Sequence, residues 1–144
     1  MAKGYTIDIS KTIGSIDKLT QAILQGIDDE LDANSEEIAA NARVDVPKNL
    51  AGSSGLEGSI SVVREKFLER TVVANKFYAP YVEFGTGNYA AAYVGTLPPE
   101  IQQYAMSFFV NGLGHMPAAP FMFPNIIRQM PILTERIVNV INDL

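Results

Sequence analysis

Between residues 12 and 46 apolar residues recur as Ile13, Ile16, Leu19, Ile23, Ile27, Leu31, Ile38 and Ala42, the three-and-four spacing that lines one face of a helix. The pattern predicts a long amphipathic N-terminal helix. Ser10 or Thr12 can cap its start through a side-chain oxygen, and Pro47 ends it because the residue before a proline is driven out of helical geometry. Asn34-Ser35-Glu36-Glu37 offers a capping signal for a second helix, but the apolar phase passes from Leu31 to Ile38 without slipping. Continuity is therefore favoured.

Residues 49–58 concentrate Gly, Ser and Asn and read as a surface loop. After it, Ser59-Ile60-Ser61-Val62 alternates polar and apolar residues, 70–74 is β-branched, and 77–84 is aromatic before ending in glycines. These runs predict a three-stranded antiparallel meander with turns near 66–69 and 75–76. Pro80 cannot donate to a ladder, so the third strand belongs at an edge or carries a bulge. Residues 88–115 are too long for a hairpin loop and hold a candidate helix at 98–110, between Thr96 and Gly112. They read as an inserted arm. A last helix is expected at 124–144, with Ile126, Met130, Leu133, Ile137, Val140, Ile141 and Leu144 on one stripe; Pro131 either kinks it or sits in the first turn of a new helix.

The expected fold class is α+β in a single domain, 1–144: long N-terminal and C-terminal helices packed on a small antiparallel sheet, with the insertion carrying a short helix. A chain of 144 residues with 47% hydrophobic content can bury one core. No run has the apolar length of a membrane span or of a signal peptide, so a soluble protein made in the cytoplasm is expected. Cysteine is absent, which excludes disulfides, thiolate metal sites and cysteine nucleophiles.

The net charge of −5 is uneven. Asp28, Asp29, Glu30, Asp32, Glu36 and Glu37 crowd one segment, whereas Arg64, Lys66, Arg70 and Lys76 fall in the middle of the chain. A nucleic-acid binder gathers Lys and Arg to neutralise phosphates, and no comparable cluster exists here. The acidic residues read as a solvated face, one that would also suit the wall of a DNA conduit because it would not trap passing phosphates.

Catalytic patterns are lacking. His115 has no nearby acid or second nitrogen ligand, and Gly85-Thr86-Gly87 lacks the lysine of a phosphate loop and the full dinucleotide fingerprint, so it reads as a turn. Ser53 and Ser54 lie in a loop without a nucleophile elbow. No enzyme activity, cofactor or metal is expected. Glu83 stands between Val82 and Phe84, exposed or else facing a neighbouring subunit where Arg64, Lys66 or Arg70 could pair with it. Phe121 and Phe123, two apart, project to one side of an extended chain and can fill a pocket together. The rings of the insertion, Tyr89, Tyr93, Tyr104, Phe108 and Phe109, suit either contact with a partner or a miniature core of their own.

Two runs carry a family signal: Tyr78-Ala79-Pro80-Tyr81-Val82-Glu83-Phe84-Gly85-Thr86-Gly87 and Met116-Pro117-Ala118-Ala119-Pro120-Phe121-Met122-Phe123-Pro124. Preceded by Asp45-Val46-Pro47 and Gly55-Leu56-Glu57-Gly58-Ser59-Ile60, they resemble the HK97 gp10-like family of tailed-phage proteins. The resemblance implies a structural virion protein of the head-tail junction, in the tail-completion or neck class, made in the host cytoplasm. It implies self-assembly into a ring, six copies favoured over twelve. Its neighbours would be a head-side connector or stopper and a tail terminator or tail-tube protein, with DNA passing through but not specifically bound, and no membrane partner. A tail-terminator or head-proximal connector subunit is the structural alternative, and a small phage-encoded enzyme the more remote one. Within the motifs, Tyr81, Phe84, Gly85, Gly87, Pro120, Phe121 and Phe123 are the structural candidates; Glu83 and the rings of the insertion are the assembly candidates.

The charge pattern generates a first prediction. The purified protein should show no duplex-DNA affinity at physiological salt in a mobility-shift titration, and tight, salt-sensitive binding would contradict it.

Overall fold

A computed structural model describes residues 4–48, 53–106 and 114–144. The chain runs α1 (Ser10–Asp45), α2 (Ser53–Ser59), β1 (Ile60–Lys66), β2 (Glu69–Ala74), α3 (Ala79–Phe84), α4 (Gly87–Val94), α5 (Pro99–Met106) and α6 (Phe123–Asn142). It is an α+β fold, mostly helical, with a small antiparallel sheet. The long helix is continuous through Asn34 and Ser35, as its apolar phase predicts. It ends one residue before Val46, ahead of Pro47.

Strands β1 and β2 pair from Ile60 opposite Ala74 to Lys66 opposite Glu69, with an irregularity between Arg64 and Lys66. The turn falls at Phe67 and Leu68, and Leu68 takes a positive φ of 63°. The third strand expected at 77–84 does not form; those residues make α3 instead. Ala79, Val82 and Glu83 are buried together, a three-and-four spacing that strand alternation cannot satisfy. Pro80 sits in the first turn of the helix, where its missing N–H costs nothing. The expected loop at 49–58 is likewise part helix: α2 forms around Leu56, which is fully buried.

α6 lies antiparallel along α1. Val140 meets Gly26, Gln129 meets Asn34, and Asn125 meets Asp45, so residue numbers fall on one helix as they rise on the other. A Cβ on Gly26 would come within 2.6 Å of Val140 Cγ1, so the glycine leaves room for that side chain where the two helices meet. The contacts are partly polar: the buried Asn34 amide donates to Gln129 Oε1 (3.0 Å), and the Asn125 amide donates to Asp45 (2.8 Å) and to the Phe121 carbonyl (2.7 Å). Pro131 lies inside α6, which continues through it without opening a new helix.

Two apolar clusters result. The larger joins Ile38 and Ala42 of α1, and Val46 just beyond its end, to Leu56, Ile60, Ala79, Val82 and Phe121. The smaller gathers Phe84, Val94, Leu97 and Ala105, with Tyr93, Ile101 and Phe123 against them. Phe121 and Phe123 thus serve different clusters, because the chain turns into α6 between them rather than staying extended.

The insertion carries two helices where one was expected. α4 was hidden by a run of alanines and tyrosines without strong periodicity, and α5 matches the start of the helix expected at 98–110; Phe108 and Phe109 lie outside the described residues.

Burial ranks the aromatic residues. Phe121→Ala should cost about 3–5 kcal/mol and lower the melting temperature by roughly 10 °C. Tyr89→Ala, at a half-exposed site, should change it by about 2 °C or less. Scanning calorimetry of the two variants checks the order.

Candidate functional site

The two motif runs are halves of one junction. α3 comes from the first run, and the second crosses its end: the Ala119 N–H donates to the Val82 carbonyl at 2.8 Å, and the Thr86 N–H to the Met116 carbonyl at 2.8 Å. The Met116 N–H returns a bond to Thr86 Oγ1 at 2.8 Å. Gly85 makes this crossing possible. Its φ is +76°, and a Cβ there would stand 2.6 Å from the Ala118 nitrogen and 2.8 Å from the Met116 oxygen, both backbone atoms.

Glu83 is the centre of the junction. It was expected at the surface or at a subunit interface opposite Arg64, Lys66 or Arg70, but it is only 3% exposed. The correction follows from α3 being a helix, which turns Glu83 to the same side as Ala79 and Val82. Its Oε2 accepts the N–H groups of Phe121 (2.8 Å) and Met122 (2.9 Å), and its Oε1 accepts that of Phe123 (3.1 Å). The Met122 and Phe123 groups are donors at the N-cap and first residue of α6, and Phe121 is the residue just before them, so a negative charge also meets the positive end of the helix dipole. Burial pushes the Glu83 carboxyl above its ordinary 4.5, opposed by the three backbone N–H bonds and by the Tyr93 hydroxyl. That hydroxyl is buried beside the carboxylate without completing a hydrogen bond of good geometry. Burial first, and the Glu83 charge second, raise the Tyr93 phenol well above its usual range.

A second polar cluster escaped the sequence reading. Asp28 of α1 is fully inaccessible and accepts bonds from Arg64 (2.6 Å), from Arg70 (2.9 Å) and from the Leu68 N–H (2.7 Å). Arg70 also pairs with Asp32, one turn along α1, and its side chain is only 2% exposed. The expected solvated acidic face is therefore partly internal: Asp28 and Asp32 pin the β-hairpin to the middle of α1, and Glu37 pairs with Arg136 of α6 at 3.1 Å. The bonds with Arg70, foremost among several causes, hold both aspartates below their ordinary 3.8. Two carboxylates at i, i+4 facing arginines on either side of a hairpin turn were the available signal.

Beside the Glu83 junction an open groove of about 580 Å³ is lined by Val72 and Ala74 of β2, by Ala79 and Pro80 of α3, and by Phe121, Met122 and Ile126. Lys76 and Phe77 stand at its rim, Phe77 at 87% exposure. Phe84 stacks on Phe123 at 5.4 Å between ring centres and meets Tyr104 edge-on at 6.4 Å. Of the remaining candidates, Tyr89 and Tyr104 are about half exposed, whereas Tyr81, Tyr93 and Pro120 are partly covered and Gly87 is buried at the start of α4.

The other large apolar surface is on α1. Ile13, Ile16 and Leu19 continue the stripe that α6 covers further along, yet each is about half exposed. On α6, Ile127, Met130, Val138 and Ile141 form a second stripe, turned outward. Among the described residues no group of three or more His, Cys, Asp or Glu could hold a metal ion, and no helix is long and apolar enough to cross a membrane.

The family model for bacteriophage HK97-gp10 tail components matches residues 10–85, more than half of the chain. The chain belongs to the HK97-gp10-like family. The match runs from the first residue of α1 to Gly85, which places the α1 frame, the β-hairpin and α3 within the HK97-gp10-like region. The protein is thus a structural tail component of a bacteriophage. Searches of curated proteins and of solved structures gave no match.

The two carboxylate sites impose opposite pH dependences. Asp28 and Asp32 have depressed folded pKa values, so their contribution is present above about 3.8 and is lost as pH falls through the folded values. Glu83 is raised; just above 4.5 the folded chain holds a proton that the unfolded chain has released, so its contribution falls as pH rises through the raised value. Urea midpoints across a pH series should show both slopes, with Asp28→Asn making the acid limb shallower and Glu83→Gln removing the slope above 4.5.

Proposed function

We propose that this tail component is a tail-completion or neck subunit of the head-tail junction. It assembles as a ring, six copies favoured over twelve, between a head-side connector or stopper and a tail terminator or tail-tube protein. There it helps join the tail to the DNA-filled head. It acts by assembly rather than by chemistry.

The observation that carries this reading is the uncovered continuation of the α1 stripe. Within the subunit, α6 covers α1 from Gly26 onward, and Ile13, Ile16 and Leu19 stay half exposed beyond it. A contiguous apolar helix face of this kind marks a protein contact surface. The outward stripe of α6 is a different patch of the same subunit. Two dissimilar patches are what a heterologous, ring-closing interface requires.

Deleting the gene should yield filled heads and separate, unattached tails in electron micrographs of lysates. Normal joined virions, or arrest before capsid formation, would place the protein elsewhere. A reconstruction of the intact neck should show six copies at the junction.

A further inference from the structure

The Glu83 carboxylate is one bond short of full use. A carboxylate offers about four acceptor sites, two on each oxygen, and three are filled: Oε2 takes the N–H groups of Phe121 and Met122, and Oε1 takes that of Phe123 alone. Among the described residues, the one buried side-chain polar atom left without a partner is the Tyr93 hydroxyl of α4. Glu83 is the group whose charge and bonding act on that phenol. A vacant acceptor and an orphan donor therefore face each other inside the fold.

The surrounding packing keeps them together. The Tyr93 ring lies 6.5 Å from that of Phe84, centre to centre, and Phe84 in turn stacks on Phe123 at 5.4 Å. Val94, Leu97 and Ala105 close the same cluster, so taking the hydroxyl to water means parting α4 from the end of α3. A buried donor with no partner is costly, and a bond to an ionised acceptor is stronger than one between neutral groups. A small slide of α4 completes such a bond. Three elements then meet at one side chain: α3 carries the carboxylate, the start of α6 donates main-chain N–H groups, and α4 brings the phenol.

We propose that Glu83 and Tyr93 form a latch that couples α4 to the start of α6, so that the two open and close as one unit. With the latch closed, the fourth donor completes the carboxylate's shell and holds it against the three main-chain donors. When α4 lifts, the carboxylate loses a donor and its apolar cover together, and its hold on Phe121, Met122 and Phe123 slackens. The two arrangements are α4 seated on Phe84 and α4 lifted from it. Tyr89 of α4 and Tyr104 of α5, both about half exposed, ride on the lifting part, whereas the outward residues Ile127, Met130 and Val138 ride on the helix it holds. Anything that binds one of these surfaces in a single arrangement shifts the other, by reciprocity. The latch lies within one chain and stands independently of any ring or neck assignment.

Native-state hydrogen exchange on the full chain tests it. Tyr93→Phe keeps the ring and its packing and removes only the donor. It should speed exchange about three- to tenfold at the Gly95 amide, which closes α4, and by a similar factor at the amides of Phe121, Met122 and Phe123. In a Glu83→Gln background the same substitution should add less than about twofold, because the ionised acceptor is already gone. Should Glu83→Gln fail to fold, the carboxyl carbon resonance of Glu83 serves instead: its titration midpoint should rise in Tyr93→Phe, since a donor to the charged form has been lost. Lys76 and Tyr104, the other titratable groups lining the groove beside Glu83, are the same in both chains. Acceleration confined to α4, acceleration spread evenly over α1 and the sheet as well, or none at all overturns the latch. So does an effect of Tyr93→Phe that is undiminished in Glu83→Gln, or a Glu83 midpoint that does not move.

Discussion

The Glu83 carboxylate is the constraint on which the second half of the molecule depends. It stands in the apolar interior because three backbone donors at the start of α6 require an acceptor there. Leaving any one of them unsatisfied costs about 1–3 kcal/mol. That one side chain fixes where α6 begins, and therefore which of its faces meets α1. The bonds between Asn34 and Gln129 and between Asn125 and Asp45 then hold the two helices in register.

The Asp28–Arg70 cluster does for the hairpin what Glu83 does for α6. Arg70 is enclosed between two carboxylates and also donates to the carbonyls of Lys66 and Glu69, so the strand turn and the helix are joined through one guanidinium. A planar fork of five donors suits this position better than a lysine would. Both anchors sit on the far side of Gly26 from the α1 N-terminus. The body is tied together by buried polar contacts, and the first turns of α1 project from it with their apolar residues open.

Periodicity made the two long helices legible, because their stripes extend over many turns and a core on one side leaves an unmistakable three-and-four spacing. Residues 77–84 misled for a physical reason: β-branched and aromatic residues favour strands in general, yet Ala79, Val82 and Glu83 are the positions that had to be buried together. Pro80 was compatible with either reading, as an edge residue or as the first turn of a helix. The role of Glu83 could not be read locally at all, since its donors lie 38 to 40 residues away and belong to main chain, which leaves no imprint on side-chain identity. The motifs themselves were visible as a pair. What joined them was not, because Gly85 announces a tight backbone approach without saying what approaches.

The insertion enters and leaves the fold at nearly the same place. Thr86 and Met116 exchange two hydrogen bonds, Thr86 N–H to Met116 O and Met116 N–H to Thr86 Oγ1. The family match stops one residue earlier, at Gly85. Once a loop's ends are clamped, each doubling of its length adds only about 0.6 kcal/mol of closure entropy. The clamp therefore acts as a socket: it fixes where the insertion leaves and rejoins the body, while Val94, Leu97 and Ala105 of the insertion fold back to cover Phe84 of α3, so the plugged-in segment also seals the wall it is plugged into.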